Sequence, residues 1–119
     1  MLKKDITYTT FDGEEVTESF FFNINQAEAI KIMAKYGADK FDDYIQKLAD
    51  SGDVTAMINI VQDVILGAYG VKSEDGKRFV KNAALREDFE NSIPYAELFA
   101  EVFTSGEESA KFFEAVVQK

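Results

Sequence analysis

The side chains that most often carry chemistry are missing from this chain, which has no Cys and no His in 119 residues. Without Cys there is neither a disulfide nor a thiolate metal site. Without His the commonest general base near neutral pH and the commonest metal ligand are gone. Carboxylates remain, in the pairs Glu14/Glu15, Asp42/Asp43 and Glu107/Glu108. Acid–base work needs two such groups in different environments facing one cleft, whereas these pairs fall on exposed faces or in the first turns of expected helices. No Ser or Thr has a base and an orienting group to activate it. The sequence therefore reads as a non-enzyme with no cofactor and no metal.

Two further patterns invite a ligand and lose it. Glu74-Asp75-Gly76 has the flavour of a calcium loop, but an EF-hand spreads its oxygen ligands over about twelve residues and ends on a bidentate Glu. Here Lys77, Arg78 and Phe79 follow directly, so a solvated turn is the better reading. Gly67, Gly70 and Gly76 match neither the phosphate-loop nor the dinucleotide spacing.

What is left is the chemistry of association. Lys72, Lys77, Arg78, Lys81 and Arg86 form a local basic cluster in a chain whose formal charge is −9. It reads either as a charge-patterned solvated loop or as a site for an acidic helix of a partner. Nucleic acid and anionic membranes are disfavoured, because the field of the whole chain repels them. No aromatic platform is interleaved with the cluster. Phe20-Phe21-Phe22 is the second candidate contact. Whichever parity faces a core, at least one of the three faces elsewhere, to be covered by the chain's own loops or by a partner.

The elements that must position these residues can be read in order. Eleven Phe and five Tyr supply large core side chains, and the length suits one domain, 1–119. Residues 5–22 are the only strand-like stretch, a β-hairpin turning at Asp12-Gly13. A two-residue turn would set Tyr8 opposite Thr17; the preferred three-residue turn, with Gly13 left-handed, would align Ile6 and Tyr8 with Phe20 and Glu18. A lone hairpin is marginal in water, so it must pack on helices or pair with another subunit, and self-association is expected.

Residues 25–117 read as a helical core, giving a mainly α fold of about six helices with an N-terminal β-hairpin. Asn25 with Glu28 makes a capping box for the first helix, whose inner stripe is Ile30, Met33 and Ala34. Asp39 caps the second. Val54–Tyr69, capped by Asp53 and ended by Gly70, is so broadly apolar that it should be nearly encased. Val71–Lys81 is a charged loop with a type I turn at Ser73–Gly76. Asn82 caps a helix bearing Leu85 and Phe89, Pro94 sits in the first turn of the next, and Ser105 with Glu108 boxes the last. Met1–Lys4 leads into polar, alternating sequence, so neither signal peptide nor membrane span is expected and the chain reads as cytoplasmic.

The run Tyr69-Gly70-Val71-Lys72-Ser73-Glu74-Asp75-Gly76-Lys77-Arg78-Phe79-Val80-Lys81, followed by Phe89, Ser92, Tyr95, Leu98 and a last helix around Phe112, resembles the tail assembly chaperone family of long-tailed bacteriophages and prophages. The resemblance is strong over 65–117 and weak over the hairpin and first two helices. It implies a small helical protein that binds the tape measure protein, keeps it soluble, helps tail tube protein assemble around it and is absent from the finished particle. It also implies that a longer form made by ribosomal frameshifting is a candidate partner. Tyr69, Gly70, Ser73, Asp75, Gly76 and Phe79 would be the motif's structural residues. Phe20, Phe21, Phe22, Lys72, Lys77 and Arg78 would be the partner-binding set. A DNA-mimic inhibitor fits the acidity less well, since Lys and Arg interrupt the carboxylates, and a structural subunit would have to persist in the virion.

Overall fold

The computed structural model describes residues 1–117. Two long strands, β1 (Leu2–Thr9) and β2 (Glu15–Phe22), are followed by helices α1 (Gln26–Tyr36), α2 (Phe41–Ser51) and α3 (Val54–Ala68). Two short strands, β3 (Tyr69–Lys72) and β4 (Phe79–Val80), lead to α4 (Ala83–Glu90), α5 (Ile93–Phe103) and α6 (Gly106–Val116). The mainly helical class with an N-terminal hairpin holds. The sheet is larger than the sequence suggested, because the stretch expected to be only a charged loop forms a second hairpin. All pairs are antiparallel, in the order β1-β2-β3-β4.

The N-terminal hairpin corrects the expected register. Its turn does span three residues with Gly13 left-handed at φ 88°, but it encloses Phe11–Gly13, with Thr10 and Glu14 closing it through a 2.7 Å backbone bond. Tyr8 therefore faces Val16 and Ile6 faces Glu18. The true register differs from the preferred one by two positions, one side-chain period, so the same residues still share a face. Ile6, Phe20 and Phe22 point to the helices. On the other face Thr7 meets Thr17 at 2.8 Å and Ser19 donates to Asp5 at 2.5 Å.

Three details of the helices also depart from expectation. In α1 the side chains turned inward are Ala29, Ile32, Met33 and Tyr36, while Ile30 is 65% exposed. The reason is that α1 is only partly covered, so its buried stripe lies where α3 meets it and not where its apolar residues are densest. The cap of α2 is Lys40, without a side-chain bond, in place of Asp39. Helix α3 runs into β3 through an extended Tyr69, so no glycine stops it.

The core is built around α3. Met57, Ile60, Val61, Val64, Ile65, Leu66 and Ala68 are buried, against α2, α5 and α6. One side of its N-terminal part is open, leaving Val54 and Ile58 exposed. Phe22 carries the sheet into this core, its fully buried ring 5.6–6.1 Å from those of Tyr69, Phe89 and Phe112. Full burial of one such ring is worth about 1.5–3 kcal/mol. Capping completes the helices much as the sequence indicates: Asn25 and Glu28 form the reciprocal box, and Asp53 and Asn82 each accept an N–H, while Ser92 adds a cap that sequence reasoning missed. Ser105 accepts from the Glu108 N–H, giving half of the box expected for α6.

Candidate protein-binding site

The second hairpin turns the Y-G…S-E-D-G-K-R-F run into a specific object. The Ser73 hydroxyl donates to Asp75 Oδ1 at 2.7 Å, and the same carboxylate accepts the Lys77 N–H at 3.0 Å. Ser73 Oγ in turn accepts from the Arg78 N–H at 3.0 Å, and backbone bonds Ser73 N–H to Arg78 and Gly76 N–H to Ser73 close the loop at 2.9 Å. Gly76 lies at φ 72°, where a Cβ would be strained. The donors crowding Asp75 hold its carboxyl below the usual range, Ser73 first and the Lys77 N–H second.

Gly70 is demanded by contact instead. A Cβ there would stand 2.5 Å from Phe79 Cε2 and 2.8 Å from the Val80 carbonyl oxygen. The Phe79 ring therefore lies directly over the β3 backbone. Tyr69 points the other way and stacks on Phe89, centroids 4.2 Å apart and nearly parallel. Burial and the nearby Asp88 and Glu18 carboxylates push its phenol pKa upward.

The sheet register then sorts the remaining candidates. Phe21 pairs with Gly70, and Lys72 with Phe79, so all four stand on the face turned away from the helices. Lys72 Nζ sits 4.5 Å from the centre of the half-buried Phe21 ring, a cation–π contact. The Phe triplet is thus divided: Phe20 and Phe22 belong to the core, and Phe21 alone faces outward. Beside it opens a cavity of about 400 Å³ lined by Lys72, Gly76, Lys77, Arg78 and Phe79 with Met1, Asn23 and Asn25. None of these eight is acidic. Among the described residues, neither Lys72, Lys77 nor Arg78 is in an ion pair.

Lys81 does not belong with them. Its ammonium is mostly buried and donates to the Asn23 and Gly67 carbonyls at 2.6 Å and to Glu28 Oε2 at 2.7 Å. One side chain thus joins the end of β2, the C-terminal end of α3 and the first turn of α1. A cation at the end of α3 also complements its dipole. Arg86 lies apart, exposed on α4. Sequence reasoning missed the junction, because the partners of Lys81, at Asn23, Glu28 and Gly67, are distant in sequence and no local spacing points to them. It also missed a largely apolar groove of about 330 Å³ between the α2–α3 and α5–α6 connections, where Leu48, Val54, Met57 and Phe103 meet. The exposed Val54 was hidden by the apolar run around it.

An outward aromatic, a floor of Phe79 and a rim of uncommitted cations define a surface suited to holding another polypeptide. The sequence matches the model of the phage tail assembly chaperone family over residues 1–119, and the chain belongs to that family. The match extends the likeness from 65–117 to the hairpin and first helices. Comparison with curated proteins and with solved structures gives no match. Among the described residues, no helix is long and apolar enough to cross a membrane.

Proposed function

We propose that this chain holds a tape-measure-like helical client in the host cytoplasm during tail assembly, keeps it soluble while tail tube subunits gather around it, and leaves before the particle is finished. It acts by binding, with no catalytic step of its own. Family membership gives the assembly role; the observation that supports the client is the outward sheet face, where Phe21 turns its half-buried ring away from the helices while its neighbours Phe20 and Phe22 are committed to the core. A half-buried ring already flanked by Lys72 loses little freedom on binding and can pack on an apolar client helix. The apolar groove at Val54, Met57 and Phe103 offers a second contact of the same chemistry. Acidity of the whole chain keeps such a complex dispersed.

The test is co-expression with the long helical protein encoded just downstream, followed by pull-down and a solubility assay. The client should co-purify and should precipitate without this chain. Phe21→Asp should weaken capture by at least about 30-fold, as loss of a binding hot spot does, with the helical circular dichroism unchanged. Raised salt should weaken capture only modestly. A client that stays soluble alone and never co-purifies would sink the reading.

A further inference from the structure

The turn of the N-terminal hairpin is built unlike an ordinary solvated loop. Phe11 at its apex is 90% exposed, more than any other large apolar side chain among the described residues. Around it, Asp12, Glu14, Glu15 and Glu18 are all exposed, and no Lys or Arg occurs between Thr7 and Glu18. The tip is therefore a protruding aromatic set in negative charge. The cavity at the other end of the same sheet is its converse: a recess floored by Phe79, with Lys72, Lys77 and Arg78 on its walls and no acidic lining residue. Arg78 can take a carboxylate in bidentate fashion, and the lysines act as point charges beside it.

One molecule cannot bring these two surfaces together. From Glu14, where the turn closes, to Phe21 the strand advances about 23 Å at strand rise, and the two strands stay paired in register over that length. We infer that the basic recess receives the Phe11 tip of a second copy of this chain, Phe11 entering over Phe79 while Glu14 and Glu15 meet Lys77 and Arg78. Passed on head to tail the contact is heterologous: the copy that gives its tip keeps a free recess, the copy that receives it keeps a free tip, and the assembly grows into a ring or an open filament. This goes beyond client holding: Phe21, which carries that reading, does not line the recess, although Lys72 borders both. A string of copies in one direction would present Phe21 faces at regular intervals along an extended client.

The test is sedimentation at roughly 100 µM, a concentration at which micromolar contacts are populated. The wild-type chain should associate, more weakly as salt is raised, because the rim charges are exposed and screened. Phe11→Asp and the double variant Lys77→Glu/Arg78→Glu should each be monomeric, with wild-type circular dichroism. Mixed together they should form a 1:1 heterodimer that grows no further, because one retains only the recess and the other only the tip. A monomeric wild type overturns the proposal, as does association that survives either variant. So does a mixture that stays monomeric. Loss of client capture by the recess variant, with no self-association in the wild type, would assign the recess to an acidic client segment instead. Client capture by Phe21 is scored separately, so either idea can fail alone.

Discussion

β1 and β2 pair over eight positions yet meet the helices mainly at one end, whereas β3 and β4 pair over only two positions, with Gly70 buried under Phe79 while Val71, Lys72 and Val80 remain exposed. The long hairpin is held by repetition. Its cross-strand pairs are Thr7–Thr17, Asp5–Ser19 and Tyr8–Glu18, each exposed and each of a kind worth about 0.2–1 kcal/mol. Docking is left to Ile6, Phe20 and Phe22, with Lys4 bridging to Glu101 on α5 at 2.7 Å. The short hairpin is held by particular atoms: the Ser73–Asp75 turn, the Phe79 ring on Gly70, and the adjacent Lys81 junction. A surface meant to reach outward can rest on the first kind of stability. A surface meant to hold a fixed recess requires the second.

The sharpest way to break this contrast is at the inner end of the long hairpin. Phe22→Ala should cost about 3–5 kcal/mol, as loss of a buried aromatic does, because three rings close around it and it has no exposure. Val16→Ala, toward the tip of the same strand, should fall within about 0.5 kcal/mol of wild type, as partly exposed substitutions usually do. Urea midpoints of the two variants measure the difference. Equal losses would mean that the whole hairpin, and not its last turn of chain, is docked.

For the short hairpin the corresponding change is Gly70→Ala. The new methyl would meet backbone oxygen as well as ring carbon, and a carbonyl cannot swing aside as a side chain can. The expected loss is about 1–3 kcal/mol, the usual cost of overpacking. It should be accompanied by a changed Phe79 environment in aromatic NMR shifts. An unchanged midpoint would show that β3 and β4 can separate freely.

The same contrast explains what could be read from the sequence. Period and capping are local, so the helices, their caps at Asn25, Asp53, Asn82 and Ser105, and the parity of the long hairpin follow from spacing alone. Its register does not, because choosing which residues the turn encloses moves every pair by two while leaving the faces unchanged. The short hairpin was legible only as a turn: two paired positions carry no alternation to detect, and Gly70 and Lys81 owe their roles to atoms far along the chain, Val80 and Phe79 for one, Glu28 and Asn23 for the other. The basic residues were visible as a group, but only the tertiary hydrogen bonds of Lys81 separate it, inside the fold, from Lys72, Lys77 and Arg78 at the recess. The exposed Phe11 gave no signal, since an aromatic beside Asp-Gly reads as turn sequence and not as a surface.

The smallest expected effect isolates charge from geometry in the turn. Asp75→Asn keeps an oxygen able to accept from the Ser73 hydroxyl and the Lys77 N–H, so the loop should retain its shape while losing its titrating group. The folded-state pKa of Asp75 is lowered from 3.8 by those same donors, so the ionised form is favoured in the folded chain. Such a group contributes stability that is present above its unfolded pKa and lost as pH falls through the lowered folded value. Wild type should therefore be slightly more stable than Asp75→Asn near neutrality, and the gap should close on acidification below the ordinary carboxylate range. Because Asp75 is on the surface, the gap should also shrink with salt, which screens an exposed charge. Paired urea titrations of the two proteins from neutral to acidic pH measure it directly. A gap that persists unchanged at the acid end would mean that the carboxylate charge does not hold the turn, and that its hydrogen-bond geometry does.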